Sequence, residues 1–137
     1  MSDDAGACVA AIIAAGIVPV AMEFMDKPAI EICEAFAHAG YPLDVESIVI
    51  VELDGTQAEV DHLVGVVEKI ARDAGATTAK VSTSEAERLQ FWAGRKNAFP
   101  AVNRIKPDYL CMDGTIPRGR LPEVLAGMDA LAAKYDL

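Results

Sequence analysis

Residues 91–118 read FWAGRKNAFPAVNRIKPDYLCMDGTIPR, and the assignment of the fold depends on this stretch more than on any other. The chain carries 12 Lys and Arg against 21 Asp and Glu, yet six of the twelve cations lie between Arg95 and Arg120. Only Asp108 and Asp113 oppose them there. A local excess of positive charge on an acidic protein indicates a site for a small anion. A solvated basic loop would explain the same charge pattern equally well.

The length and composition of the chain predict one domain with an apolar surface. A chain of 137 residues is long enough to form a single domain over residues 1–137 that buries a core without the support of metals or disulfides. Hydrophobic residues make up 53% of the chain and aromatic residues 6%, whereas apolar usage is ordinarily ~45–50%. This surplus of aliphatic residues favours an apolar face that meets a partner. The alternative is an alanine-rich but otherwise ordinary core.

Charge and cysteine content exclude several classes of protein. A net charge of −9 argues against a nucleic-acid partner and against binding to anionic membranes. The cysteines are widely spaced and form no CxxC pair, which argues against a disulfide framework and against a zinc site; they are Cys8, Cys33 and Cys111. We therefore expect buried thiols in a protein of the reducing cytoplasm.

The apolar stretch at residues 5–22 is not expected to be a signal peptide or a membrane span. Acidic residues, Asp3 and Asp4, precede it where a signal peptide requires cations. Gly16 and Pro19 also divide it into pieces that are too short to cross a bilayer. We expect no membrane insertion.

Helices and strands alternate along the sequence. Helix starts are indicated by Pro28 and by two capping-box pairs, Thr56 with Glu59 and Ser84 with Glu87. The first helix should end near Gly16, the second at Gly40, the fourth near Arg95, and the last should run from Pro117 or Pro122 to about Tyr135. Strands are predicted at residues 17–24, 47–53, 77–81 and 109–113, and an irregular segment is predicted between Pro100 and Pro107. Such alternation favours a sheet with helices packed on it, without fixing the strand order.

The sequence contains no self-sufficient catalytic motif. His38 and His62 have no metal-ligand partner at helical or strand spacing. Neither a glycine-rich phosphate loop nor a Ser-His-Asp arrangement can be assembled. Arg95 is the remaining candidate, because its planar, permanently charged guanidinium suits a carboxylate. The alternative is an exposed arginine that favours the negative end of a helix dipole.

Three segments in the same order carry a family resemblance. They are AMEFMDKPAIE (21–31), IVIVELDG (48–55) and FWAGRKNAFPAVNRIKPDYLCMDGTIPRGRLPEVL (91–125). Together they resemble the C-terminal (cap) domain of FAD-linked oxidases of the vanillyl-alcohol oxidase superfamily, and most of all the glycolate oxidase and D-lactate dehydrogenase group. The similarity extends over nearly the whole chain.

The resemblance implies a function in the oxidation of small D-2-hydroxy acids such as glycolate or D-lactate, with hydride transfer to FAD. It implies that Arg95 binds the substrate carboxylate, which agrees with guanidinium chemistry. Asn97 and Asp113 are weaker substrate-site candidates from the same motif. Phe99 stands where relatives carry a threonine-like residue, which indicates a different or smaller substrate. No catalytic residue is assigned within these residues.

The resemblance also implies that residues 1–137 are a fragment of the substrate-binding cap domain. The FAD-binding domain is absent, as is the histidine-rich motif that supplies ligands for a divalent metal in relatives. The implied fold is ferredoxin-like and α+β, with a largely antiparallel four-stranded sheet and helices on one face.

Such a fragment should be inactive alone and should self-associate as a homo-oligomer through surfaces that the parent covers. Its partners would be the rest of the parent flavoenzyme or companion oxidase subunits. The alternative is a free-standing ferredoxin-like module, ligand-binding or oligomerising, from a truncated gene.

Overall fold

Six α-helices and two antiparallel strands make up residues 2–136, the part of the chain that the computed structural model describes. A short 3-10 turn, Arg118–Arg120, precedes the last helix. The elements in chain order are α1 (Ser2–Ala14), β1 (Ala21–Asp26), α2 (Lys27–Ala37), β2 (Ser47–Glu52), α3 (Gln57–Asp73), α4 (Glu85–Lys96), α5 (Ala98–Ile105) and α6 (Leu121–Tyr135). This mixture of helices and an antiparallel sheet is consistent with the α+β class that the family resemblance implied.

Local capping chemistry sets where three of the helices begin. The Asp26 side chain accepts a hydrogen bond from the Ala29 amide at 3.0 Å, and α2 follows directly. Thr56 and Glu59 form the predicted capping box at the start of α3. At α4 the Ser84 hydroxyl accepts from the Glu87 amide at 3.2 Å. These predicted helix starts are therefore confirmed.

The second half of the predicted capping box at α4 is different. The Glu87 carboxylate does not return to Ser84 but accepts hydrogen bonds from the amide and hydroxyl of Thr83, at 2.7 and 2.9 Å. It thus satisfies a backbone donor one residue further from the helix, which the spacing rule does not anticipate.

The two strands pair along their full length, from Ala21 opposite Glu52 to Asp26 opposite Ser47. Successive side chains point to opposite faces of the sheet. One face carries Met22 and Val51, which pack on a core of Cys8, Ile12 and Ile17 together with apolar side chains of α3. The other face carries Met25, Ile48 and Ile50, which pack with Ile30 and Cys33 of α2. Helices therefore cover both faces of the sheet, which corrects the expectation that they lie on one face.

The predicted strands at residues 77–81 and 109–113 are wrong, because both segments are irregular in the structure. Val81 is 46% exposed and Leu110 is 85% exposed, so neither segment packs its apolar side chains against a neighbouring strand. β propensity is expressed only where such a neighbour exists. A four-stranded sheet is thus not formed within residues 2–136, where the sheet has the order β1-β2.

The irregular segment predicted between Pro100 and Pro107 is mostly the helix α5. Pro100 is the third residue of α5, in the first turn, where backbone N–H groups have no intrahelical acceptor. Its missing N–H therefore costs no helical hydrogen bond. Ala101 is buried, and α5 packs against α2.

None of the helices within residues 2–136 has both the length and the apolar character that crossing a bilayer requires.

Candidate functional site

Arg95 lies in the last turn of α4 and is paired with a carboxylate of the sheet. Its Nε donates a hydrogen bond to Oε2 of Glu23 in β1 at 3.0 Å. The two side chains are 38% and 36% exposed, so the pair is open to solvent on one side. No hydrogen bond or ion pair within the described residues engages the Nη1 and Nη2 atoms of Arg95. One edge of the guanidinium is thus held, and the other remains available to an anion.

Tyr41 contacts the backbone of α4 at the same place. Its hydroxyl donates to the Phe91 carbonyl at 2.5 Å and accepts from the Arg95 amide at 3.2 Å. In an α-helix these two groups, four residues apart, bond directly to each other. The hydroxyl therefore bonds to both backbone groups of this position in the hydrogen-bond ladder of α4. A phenol is already protonated at neutral pH, and burial raises the pKa of Tyr41 further, so the hydroxyl keeps the proton that it donates.

Gly94 makes this approach of Tyr41 possible. A Cβ at position 94 would lie 2.2 Å from a ring carbon of Tyr41 and 2.7 Å from its hydroxyl oxygen. Real Cβ atoms do not approach other atoms so closely, so any larger residue would displace the ring. The Glu34 carboxylate holds the other end of Tyr41 by accepting from its amide at 2.9 Å. Tyr41 is therefore held at its backbone amide and at its hydroxyl.

Asn97 caps the helix that carries Arg95. Its Nδ2 donates to the Ala93 carbonyl at 2.7 Å, and its backbone joins α4 to α5. The amide of the side chain is thus occupied at the helix end, where free carbonyls need donors.

Phe99 and Asp113 lie further along the chain. Phe99 is an exposed residue of α5, and its ring stacks on Tyr109 with centroids 6.5 Å apart. Asp113 is exposed in the irregular segment before α6, and no hydrogen bond or ion pair within the described residues joins it to Arg95. The structure therefore groups Arg95 with Asn97 at one helix junction, places Phe99 on the following helix, and does not join Asp113 to them.

Two other cations of the basic stretch have local partners. The Arg104 guanidinium lies over the Phe36 ring, 4.8 Å from the centroid. The Nε atom of Arg120 donates to Glu123 at 2.7 Å. These arginines are thus engaged by neighbouring side chains on the surface of the protein. Arg95 instead pairs with the sheet, as does Arg88 outside the basic stretch, which contacts Glu52 of β2 at 3.1 Å.

Glu23 and Tyr41 belong to the site, although the sequence did not identify them. They lie 72 and 54 residues from Arg95 in the chain. A signal for Glu23 exists in hindsight, since it is the one charged residue between Ala21 and Met25 in a half-buried strand. A partly buried charge requires a partner. No comparable signal marks Tyr41.

Sequence comparison assigns the chain to a family. The profile of the family described as FAD linked oxidases, C-terminal domain, matches residues 2–137. The chain belongs to this family. The resemblance that the three sequence segments indicated is thereby confirmed.

Named relatives of this FAD-linked oxidase domain come from bacteria and from a vertebrate. The chain is 53% identical to the glycolate oxidase subunit GlcD of Escherichia coli over 135 residues, which is 98% of the chain and 27% of that protein. It is 30% identical to the subunit of the same name from Bacillus subtilis, again over 98% of the chain and 29% of the relative. It is 28% identical to a probable mitochondrial D-lactate dehydrogenase of Danio rerio, over 83% of the chain and 23% of the relative. The chain thus spans about a quarter of the length of these proteins.

The family implies FAD in the parent protein, and the two surface depressions of the described residues can be tested for their fit to it. Two surface depressions, between α1 and α3 and between α2 and α5, have volumes of about 260 and 190 Å³. Pockets for drug-sized ligands range over ~300–1,000 Å³, and FAD is larger than such ligands. Both depressions are lined mainly by alanine and other apolar side chains, which offer few donors to a pyrophosphate. Neither of these two depressions fits FAD.

The described residues also contain no group of three or more His, Cys, Asp or Glu side chains placed to hold a metal ion. No metal chemistry is therefore assigned to this part of the chain.

Proposed function

We propose that this chain forms part of the substrate-binding cap domain of an FAD-dependent oxidoreductase that oxidises a small D-2-hydroxy acid of the glycolate or D-lactate type, with the flavin as hydride acceptor. The family match and the names of the relatives support the reaction class. The observation that carries the site assignment is the guanidinium of Arg95, which has one edge held by Glu23 and the other uncommitted.

The proposed role of Arg95 is to bind and orient the carboxylate of the acid. The Nη1 and Nη2 groups can donate two parallel hydrogen bonds to a carboxylate, which fixes its plane as well as its position. Fixing the carboxylate also fixes the attached C2 atom, whose hydrogen is to be removed. Positioning of this kind lowers the entropic part of the barrier. FAD itself would be bound outside the residues described here.

The proposal gives the other candidates smaller roles. Asn97 stabilises the helix end that presents Arg95. Phe99 supplies an apolar surface one turn beyond, where its exposed ring would disfavour substrates with a polar extension. Asp113 lies in the segment before α6 and would reach the substrate only if that segment closed over the site.

We further propose that residues 1–137 are one part of the cap, and that a ferredoxin-like four-stranded sheet is completed by strands from elsewhere in a longer parent or companion subunit. The open edges of the two-stranded sheet are compatible with such an addition. In this proposal the chain is inactive when isolated from the flavin-binding part.

A second candidate is a free-standing ligand-binding or oligomerising module. Leu110 and Met112, in the segment before α6, expose apolar side chains, which favours this second candidate. The same exposure is equally expected of a surface that the rest of a parent protein would cover. The two candidates differ in a single measurement. The cap-domain function requires that the binding of a hydroxy acid depend on Arg95, whereas an oligomerising module, or a module for another ligand, has no such requirement.

The test is the affinity of the chain for glycolate, measured by NMR titration, in the wild type and in Arg95→Lys and Arg95→Ala. Loss of hydrogen bonds to a charged group costs about 1.5–3 kcal/mol, which corresponds to roughly a 10- to 150-fold weaker Kd. Arg72→Lys is the matched control, since Arg72 is an exposed arginine of α3 that pairs only weakly with Glu68 at 3.9 Å. Equal affinities in the wild type and the Arg95 variants would reject the carboxylate role.

A further inference from the structure

We propose that Tyr41 and Glu23 are positioning residues that hold Arg95 in one orientation toward its ligand, Tyr41 through the backbone and Glu23 through Nε. This inference rests on the proposed carboxylate-binding function of Arg95. It assigns roles to two residues that contact the arginine from different elements of the fold.

The backbone part of the inference follows from the two hydrogen bonds of the Tyr41 hydroxyl to α4. Side chains that enter the hydrogen-bond ladder of a helix bend it or widen the turn at that point. The Tyr41 hydroxyl bonds to both the Phe91 carbonyl and the Arg95 amide, and through these two bonds it sets the geometry of the turn from which the Arg95 side chain leaves. The location of Tyr41 is in turn fixed by Glu34 and by the absence of a Cβ at Gly94.

Packing alone does not explain the tyrosine. A phenylalanine at position 41 would place the same ring against Gly94 and the same carbons against the core around Met25 and Cys33. The hydroxyl is the added feature, and both of its hydrogen bonds go to the backbone of α4. Its effect is therefore confined to the turn that carries Arg95.

The side-chain part follows from the geometry of the guanidinium. Arginine has five N–H donors in one plane, and a partner on Nε fixes the rotation of that plane while leaving the Nη1 and Nη2 edge open. Glu23 is such a partner. Because both side chains are more than a third exposed, solvent screens their charges and the attraction itself contributes little. The main consequence of the pair is the orientation of the open edge.

Glu23 also brings a negative charge near the bound anion. The repulsion between the two charges weakens binding, whereas the orientation of the Arg95 guanidinium by Glu23 strengthens it. Two variants separate the contributions. Glu23→Gln removes the charge but keeps an oxygen that can accept from Nε, whereas Glu23→Ala removes both. If orientation dominates, the alanine variant binds glycolate more weakly and the glutamine variant restores most of the affinity.

The experiment uses the 137-residue chain with glycolate as the probe and two readouts, the Kd and the Nε–Hε resonance of Arg95 in a 15N spectrum. Immobilising a long side chain is worth ~0.5–1.5 kcal/mol in binding, so Tyr41→Phe and Glu23→Ala should each raise the Kd roughly two- to tenfold. The Arg95 resonance should shift and broaden in both variants before any glycolate is added. Tyr135→Phe, at an exposed position of α6, is the control and should change neither readout.

The outcomes distinguish this inference from the function on which it rests. If Arg95→Lys weakens binding while Tyr41→Phe and Glu23→Ala leave the Kd and the Arg95 resonance unchanged, positioning is overturned and the proposed function stands. If Arg95→Lys has no effect on the Kd, both are overturned. Equal Kd values for Glu23→Gln and Glu23→Ala would overturn the role of Glu23. Should Tyr41→Phe fail to fold, the claim that the Tyr41 hydroxyl acts only on this turn is overturned, and the two Glu23 variants still decide the side-chain part of the inference.

Discussion

Gly94 faces the ring of Tyr41 in the last turn of α4, and the two residues together decide how that turn is built. Because Gly94 has no side chain, the phenol ring of Tyr41 can occupy the space beside it. The Tyr41 hydroxyl and the Glu23 carboxylate then hold the backbone and the side chain of Arg95. Gly94 has no polar side chain, yet the geometry of the site around Arg95 depends on it.

Gly94→Ala should lower the stability of the protein. A helical Gly→Ala change ordinarily gains up to about 1 kcal/mol, but here the new Cβ would lie 2.2 Å from Tyr41. Overpacking of this kind costs typically ~1–3 kcal/mol, and moving the ring would also break the two hydrogen bonds of its hydroxyl. We expect a net loss of about 1–3 kcal/mol in the free energy of unfolding, measured by urea denaturation.

Gly65→Ala is the matched control for that change. Gly65 lies in α3, and no atom lies within 4 Å of the Cβ that the substitution would add. This variant should be more stable than the wild type by about 0.4–1 kcal/mol. Equal stability changes at the two glycines would show that the Tyr41 ring moves aside without cost.

At the scale of elements, helix starts were predictable because their chemistry is local. The Thr56 and Glu59 pair lies within one turn, and Asp26 likewise caps its own helix. Pro100 misled the prediction, because proline ends a helix in its interior but is tolerated in its first turn. The predicted strands at 77–81 and 109–113 failed for the opposite reason, since a strand needs a neighbour that local sequence does not specify.

The residues around Arg95 show the same contrast between local interactions and contacts that depend on the fold. Arg95 was predictable from its side-chain chemistry and its motif, whereas Glu23 and Tyr41 reach it only through the folded arrangement of β1, α2 and α4. Asn97 was found by position in the motif, but its hydrogen bond to Ala93 is a capping interaction that follows from the helix end. Sequence thus singled out Arg95, the proposed ligand-binding group, but not the residues that contact it.

The capping box of α3 should make stability depend on pH in the acid range. The Thr56 hydroxyl, followed by the Thr56 amide, lowers the pKa of Glu59 in the folded state. A lowered folded pKa means that the contribution is present above the unfolded value of about 4.3 and is lost as the pH falls through the folded value. Glu59→Gln should therefore lower the melting temperature at pH 7 and reduce its decline between pH 5 and pH 3.

Glu31→Gln is the control for the acid titration, because it makes the same charge change at an exposed position of α2. Its melting temperature should follow the wild-type curve throughout. Parallel acid curves for Glu59→Gln and the wild type would show that the capping box does not contribute to the pH dependence.

At the scale of the whole molecule, exposed apolar side chains coexist with a net charge of −9. Val18, Leu110 and Met112 are 87%, 85% and 81% exposed, respectively. Apolar exposure favours association, while the shared negative charge opposes it through repulsion. Salt screens the repulsion over about 8–10 Å at 0.1–0.15 M and leaves the apolar contacts in place.

We therefore expect the chain to self-associate, and to do so more strongly as salt is added. Multi-angle light scattering over a broad concentration range should give a mass that rises above 14.5 kDa. Leu110→Lys should reduce this association, whereas Asn103→Lys, the same charge change at an exposed position of α5, should reduce it less. A mass that stays monomeric at every concentration and salt level would contradict the prediction.

The contact between Gly94 and Tyr41 also limits how the protein can change over generations. A mutation that adds a side chain at position 94 becomes tolerable only after the ring at position 41 has been exchanged for something smaller, and that exchange alone would leave a gap beside α4. A substitution at either position alone is thus disfavoured. The effects of substitutions at positions 41 and 94 are therefore coupled, and we expect the two residues to change together. Across descendants of this sequence, we expect glycine and tyrosine to be inherited as a unit, while Tyr109 and Tyr135 are replaced independently.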